Sequence, residues 1–135
     1  MKFILLVFLS ILPSSIRKLV YKLMGYNVSP RSHFGLFSII DIKSSANFAD
    51  GSSIGSFTYI RADELIIGKY SLISPFSFIS VPKVYIGNDT KISNCVIIRS
   101  GHINKYSELF VGDLVHIFPF VTIDCSRKVT IGDGT

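Results

Sequence analysis

"KVYIGN" occupies residues 83–88, and the chain writes the same phrase three more times: "ELIIGK" at 64–69, "ELFVGD" at 108–113 and "KVTIGD" at 128–133. Each copy is a charged residue, Leu or Val, a variable residue, Ile or Val, Gly and a polar residue. Repetition inside one chain points to a repeat architecture, which has to be settled before any single residue is interpreted. Stepping by six from the aliphatic residue before each Gly gives Phe48, Ile54, Ile60; Ile67, Ile73, Ile79; Ile86, Ile92, Ile98; Val111, Ile117, Ile123; and Ile131. The steps between these groups of three are 7, 7, 13 and 8.

A second rule runs beside the first. Four residues after the first two anchors of each group stand Ser52, Thr58, Ser71, Ser77, Thr90, Val96, Val115, Val121 and Thr135, all nine of them Ser, Thr or Val. After the third anchors stand Glu64, Lys83, His102 and Arg127, none of them small. Both rules fail at every third unit. A six-residue unit of this kind is a short strand and a turn, with two inward side chains set by the alternation of a strand. A large aliphatic fills the centre and a small residue fits beside it. Gly after the anchor suits a corner that needs either positive φ or close backbone approach. Three units make one coil of a triangular solenoid, and insertions leave from the third corner.

Composition agrees with a folded body: 48% hydrophobic and 17% charged over 135 residues, enough for one domain with an appendage. The net charge of +5 is unevenly placed. Residues 1–40 carry Lys2, Arg17, Lys18, Lys22, Arg31 and no acid, whereas residues 41–135 balance nine bases against nine acids. No basic stripe marks the main body, which argues against nucleic-acid binding. Cys95 and Cys125 match no metal or redox spacing and suit a reduced, cytoplasmic setting.

Residues 1–33 stand apart from the repeat. The apolar run "KFILLVFLSILP" is too short to span a bilayer, and no small-x-small cleavage site follows it. Pro13 can open a helix, Ser14 or Ser15 can cap it and Gly25 can end it. Ile16, Leu19, Val20, Leu23 and Met24 share one helical face, with Arg17, Lys18 and Lys22 on the other. The apolar face is expected either to dock on the domain or a partner subunit, or to lie on an anionic membrane surface through residues 1–24.

The pattern [Ile/Val]-Gly-x-x-[Ser/Thr/Val]-x resembles the hexapeptide repeat of left-handed parallel β-helix proteins, most of which are acyltransferases. The resemblance covers residues 34–135, with "FGLFSIIDIK" as a degenerate first coil. It implies an all-β triangular prism of about five coils behind an N-terminal α-helix; the left hand comes from the family alone, since general chirality rules favour right-handed crossovers. The leader "SSIRKLVYKLMGYNV" is similar to that of bacterial enzymes that acylate surface-polysaccharide sugars. The resemblance implies acetyl-CoA as donor, a sugar hydroxyl as acceptor, no metal, a homotrimer and a histidine as general base; the cysteines and the basic amphipathic leader add the expectation of a cytoplasmic location, peripheral at the inner membrane.

Three histidines could supply that base. His33 precedes the first coil and reads as a leader residue. His102 lies in "RSGHINKYSELF", the stretch that lengthens the third coil by six residues, and long loops on a regular scaffold often carry function. His116 is the sixth residue of its unit and should point outward, near Asp113 or Asp124. His102 and His116 are therefore alternative candidates. The relatives in question carry their base after an "IGD" strand, whereas here "IGDG" is residues 131–134 and the last residue is Thr135. A solenoid also needs a cap over its last coil. The ending thus reads as a truncation that has lost the base, with a covering partner as the alternative. Two competing functions follow: a non-catalytic β-helix scaffold, and a zinc enzyme resembling the γ-class carbonic anhydrases, which needs three converging histidines. No P-loop or GxSxG is present, and the Asp residues after the corner Gly read as turn formers.

Overall fold

The computed structural model describes residues 2–100 and 107–135. Two helices, α1 (Lys2–Ser10) and α2 (Ser14–Leu23), precede short strands that pair only in parallel among the described residues. The strands wind into a left-handed parallel β-helix of about five turns. One face stacks β1 (Asn27–Val28), the end of β3 (Ile39–Phe48), the end of β5 (Tyr59–Ile67), β8 (Lys83–Ile86), β11 (Glu108–Val111) and β14 (Lys128–Ile131). The second stacks β2 (His33–Phe34), β4 (Ser53–Ile54), β6 (Leu72–Ile73), β9 (Lys91–Ile92) and β12 (His116–Ile117). The third begins with the first halves of β3 and β5 and continues through β7 (Phe78–Ser80), β10 (Ile97–Arg99) and β13 (Thr122–Asp124).

The six-residue series is the register of this stack. Phe48 pairs with Ile67, Ile67 with Ile86, Ile86 with Val111 and Val111 with Ile131. Anchors on the other two faces pair in the same way, and Ile54, Ile60, Ile73, Ile79, Ile92 and Ile98 are sealed from solvent. The stack reaches one coil further toward the N-terminus than the series, because Val28, Phe34 and Ile40, six residues apart, pair with Phe48, Ile54 and Ile60.

The small residues do more than fit. Ser77 Oγ donates to Ser93 O at 3.1 Å, Thr58 Oγ1 to Ser74 O at 3.2 Å, Thr90 Oγ1 to Gly112 O at 2.7 Å, and Ser71 Oγ to Gly87 O. Each hydroxyl reaches the carbonyl just after the next coil's anchor. A buried hydroxyl without a partner is costly, so the site selects a residue both small and able to donate, or an apolar Val.

The corner glycines resolve the choice between positive φ and close approach. Positive φ falls three residues after the anchor, on Phe37, Phe57, Tyr70, Phe76, Asp89, Cys95, Leu114 and Phe120. Gly68, Gly87 and Gly112 serve close approach instead. A Cβ on Gly68 would stand 2.5 Å from Asn88 Oδ1 of the next coil. That side chain is itself bonded: Asn88 Oδ1 accepts from Lys69 N at 2.8 Å, Asp113 Oδ1 from Asn88 N at 2.7 Å and Asp133 Oδ1 from Asp113 N at 2.7 Å. The Asp and Asn residues of the phrase therefore serve turns, but the turn of the preceding coil.

The N-terminal region departs from the expectation. The apolar run is a second helix, and α2 is rotated about its axis, so that of its expected inward face only Val20 and Met24 pack, half-buried, against the core. Arg17, expected outside, is fully buried with Tyr21, while Ile16, Leu19 and Leu23 are exposed. The reason lies in the first coil's oxygens. Arg17 donates to Gly35 O at 2.7 Å, Ser38 Oγ at 2.8 Å, Ser38 O at 2.8 Å and Tyr21 Oη at 2.7 Å. Its guanidinium carbon also lies 5.5 Å from the ring centres of Tyr21 and Phe34. Ser14 is the first helical residue rather than a cap, and its hydroxyl accepts from Phe34 N at 3.0 Å. Gly25, with φ of +92°, ends α2 as expected.

Candidate functional site

His116 lies on β12, where inward Ile117 forces it outward, and its ring is exposed. Register sets Lys91 of the preceding coil beside it. Its Nε2 is 3.0 Å from Ser93 Oγ, also of the preceding coil, and its ring centre is 4.4 Å from that of Phe118. Ser93 is buried, and the backbone N–H of His116 donates to Thr135 O at 3.0 Å. The ring is thus held by Ser93 and Phe118, and its backbone by Thr135.

The Ser93 contact bears on protonation. If Nε2–H donates to Ser93 Oγ, Nδ1 keeps its lone pair and can accept a proton. If Ser93 donates, Nδ1 carries the hydrogen. Only the first tautomer leaves a ring nitrogen outside this contact free to act as a base. The expected neighbours of His116 are otherwise engaged: Asp113 in the corner ladder, and Asp124 Oδ1 with Ser126 Oγ at 2.9 Å. Ser93 escaped the sequence reading because nothing local links positions 93 and 116. The register Ile92–Ile117 does link them, and it follows from the six-residue series.

The other histidines separate. His33 is also outward, on β2, in the row of β12 but four strands away. At roughly 4.8 Å per strand spacing the two rings are about 19 Å apart and cannot act on one atom or share one ion. His102 lies within residues 101–106, outside the described residues, in the sequence between β10 and β11. Among the described residues no three His, Cys, Asp or Glu side chains form a group that could hold a metal ion.

The Phe118 ring flanks His116. Phe118 and Phe120 of the same coil are exposed. Phe120 ends a corner row that begins Phe37, Phe57, Phe76, with rings stacked at 5.1 and 5.3 Å. Bulky residues at positive φ cost of order 1–3 kcal/mol each. Ring stacking of about 0.5–1.5 kcal/mol per pair offsets part of that. Cys95 takes the row's fourth place.

The two thiols differ in reactivity. Cys125 is buried, and burial, with Asp124 nearby, pushes its thiol up from 9.0 to about 11. Cys95 is half-buried. Since the thiolate is the nucleophile, a maleimide at neutral pH is expected to label Cys95 in the folded protein and to reach Cys125 only on unfolding. The linkage has a definite sign. Between pH 9 and 11 the unfolded chain loses the Cys125 proton while the folded chain keeps it. Stability therefore falls as pH rises through that window, and Cys125→Ala removes that part of the fall. Labelling stoichiometry by mass spectrometry and urea midpoints across the window check both.

Comparison with protein-family models, with curated proteins and with solved structures finds no significant match to this chain.

Proposed function

We propose that the chain is an O-acyltransferase that moves an acetyl group from acetyl-CoA to a sugar hydroxyl, with His116 as general base. One observation carries the reading: an exposed imidazole on the outer face of a hexapeptide β-helix, with one ring nitrogen engaged by Ser93 at 3.0 Å. The acceptor O–H gives its proton to Nδ1 as its oxygen attacks the thioester carbonyl. The C–S bond then breaks, and the CoA sulfur takes the proton from the imidazolium. Lys91 beside the ring offers a cation to the donor's phosphates, and Phe118 and Phe120 offer an apolar bed for its pantetheine arm. A trimer would close this shallow face with a neighbouring subunit. Use of the sugars of surface polysaccharide as acceptors rests on the leader's resemblance alone.

The test is CoA release from acetyl-CoA across a panel of sugar acceptors. His116→Ala is expected to lower kcat about 100-fold or more, a usual scale for loss of a general base. Ser93→Ala is expected to move the pH–rate profile while leaving turnover measurable. Loss on His102→Ala with His116→Ala active would place the base in the third-corner insertion instead. Failure of the wild-type chain to turn over any acceptor would favour the non-catalytic scaffold.

A further inference from the structure

Each N-terminal helix leaves an apolar side in water. On α1, Leu6 and Leu9 are buried, while Ile4, Val7 and Phe8 are exposed, as is Ile11 just beyond. A helix apolar all round is normally enclosed on every side. On α2, Arg17 and Tyr21 face the coil, so Leu19 and Leu23 face outward at 60% and 81% exposure. Both helices pack on strands of the first coil, α1 on β3 and α2 on β1 and β2.

Charge selects what covers them. At about 100° per residue, Lys18 and Lys22 form one row along the flank of α2, between its buried and its exposed apolar faces. Lys22 is exposed, and Lys18 is half-buried with its Nζ donating to Pro30 O at 2.8 Å. No acid stands anywhere in residues 1–40. A second copy of this surface would set cation against cation. An anionic lipid surface meets both needs: acyl chains for the apolar side and headgroups for a flanking row of lysines. No helix among the described residues is long and apolar enough to cross a membrane, so the contact is interfacial.

We propose that α1 and α2 form an interfacial module that docks the solenoid onto an anionic lipid surface, its apolar side chains entering the headgroup boundary. The proposal is independent of the acyl-transfer reading and stands or falls without it.

The test floats the full chain with vesicles of phosphatidylcholine alone or mixed with phosphatidylglycerol. Flotation is expected with the mixed vesicles, weakened by added salt, and slight with the neutral ones. Leu19→Asp/Leu23→Asp is expected to lower the bound fraction about tenfold or more, since two buried apolar side chains are lost from the bilayer. Circular dichroism and the unfolding midpoint verify that the variant folds. Lys22→Glu, which leaves every apolar contact in place, should weaken binding to the mixed vesicles only. The proposal is overturned if the wild-type chain does not float, if it floats equally on both compositions, or if the double Asp variant floats as well as wild type. It is also overturned if sedimentation shows an oligomer that the double variant dissociates and vesicles bind neither form. The face would then belong to a second copy.

Discussion

Arg17→Ala is expected to lower the stability of the protein by about 4 kcal/mol. Arg17 is fully buried and donates to four oxygens, of Gly35, Ser38 (two) and Tyr21. Removing it orphans buried acceptors at about 1–3 kcal/mol each and opens a cavity under α2. Arg17→Met separates the two causes. It restores volume but no donors, so a purely packing role predicts recovery, and the hydrogen-bonding role predicts a loss close to that of alanine. Arg17→Lys keeps the charge but loses the planar fork, and should fall between. Urea unfolding of all three variants decides. A wild-type midpoint for Arg17→Met would show that the guanidinium contributes only bulk.

Gly87→Ala is the second large effect, about 3 kcal/mol, the upper range for overpacking. Its Cβ would meet the carbonyl of Gly112 at 2.6 Å, along with Asp113 Oδ1. Neither can move away, because Gly87 N donates to Val111 O at 2.8 Å and Asp113 Oδ1 holds Asn88 N. Gly132 is the internal control. It occupies the same place in the phrase with nothing within 4 Å of its Cβ position, so Gly132→Ala should stay within about 0.5 kcal/mol of wild type. Equal midpoints for the two variants would show that the glycine is not required by the neighbouring coil.

The contrast shows what the phrase encodes. The six-residue step was legible because inward side chains alternate along a strand and stacked coils must share a register. Ile67, Ile86, Val111 and Ile131 line up for that reason alone. The corner glycine was legible as special, but its cause was not. The cause is an Asn or Asp side chain about twenty residues further on, bonded back to the preceding turn.

The helix orientation was misread for a related reason. Ile16, Leu19 and Leu23 make the stronger apolar stripe, and a stripe normally faces inward. Here the first coil's end offers carbonyls rather than hydrocarbon, and Arg17 answers them. Positive φ on Phe57, Phe76 and Tyr70 left no local mark, since no Gly or Asn stands there. At the candidate site, the outward position of His116 was legible from its place in the unit. Ser93 was not named, although the register contains it.

The guanidinium at the head of the stack also settles where the stack begins. In two later coils the carbonyl after the second-face anchor accepts a hydroxyl from the coil before: Ser74 O from Thr58 and Ser93 O from Ser77. Gly35 O holds the equivalent position on the first coil and takes its proton from Arg17 instead. In hydrogen-bonding terms the arginine impersonates a missing rung. A neighbouring molecule seeking to continue the solenoid backward finds that socket already filled. An open solenoid end invites end-to-end growth into filaments, and this one is plugged from within.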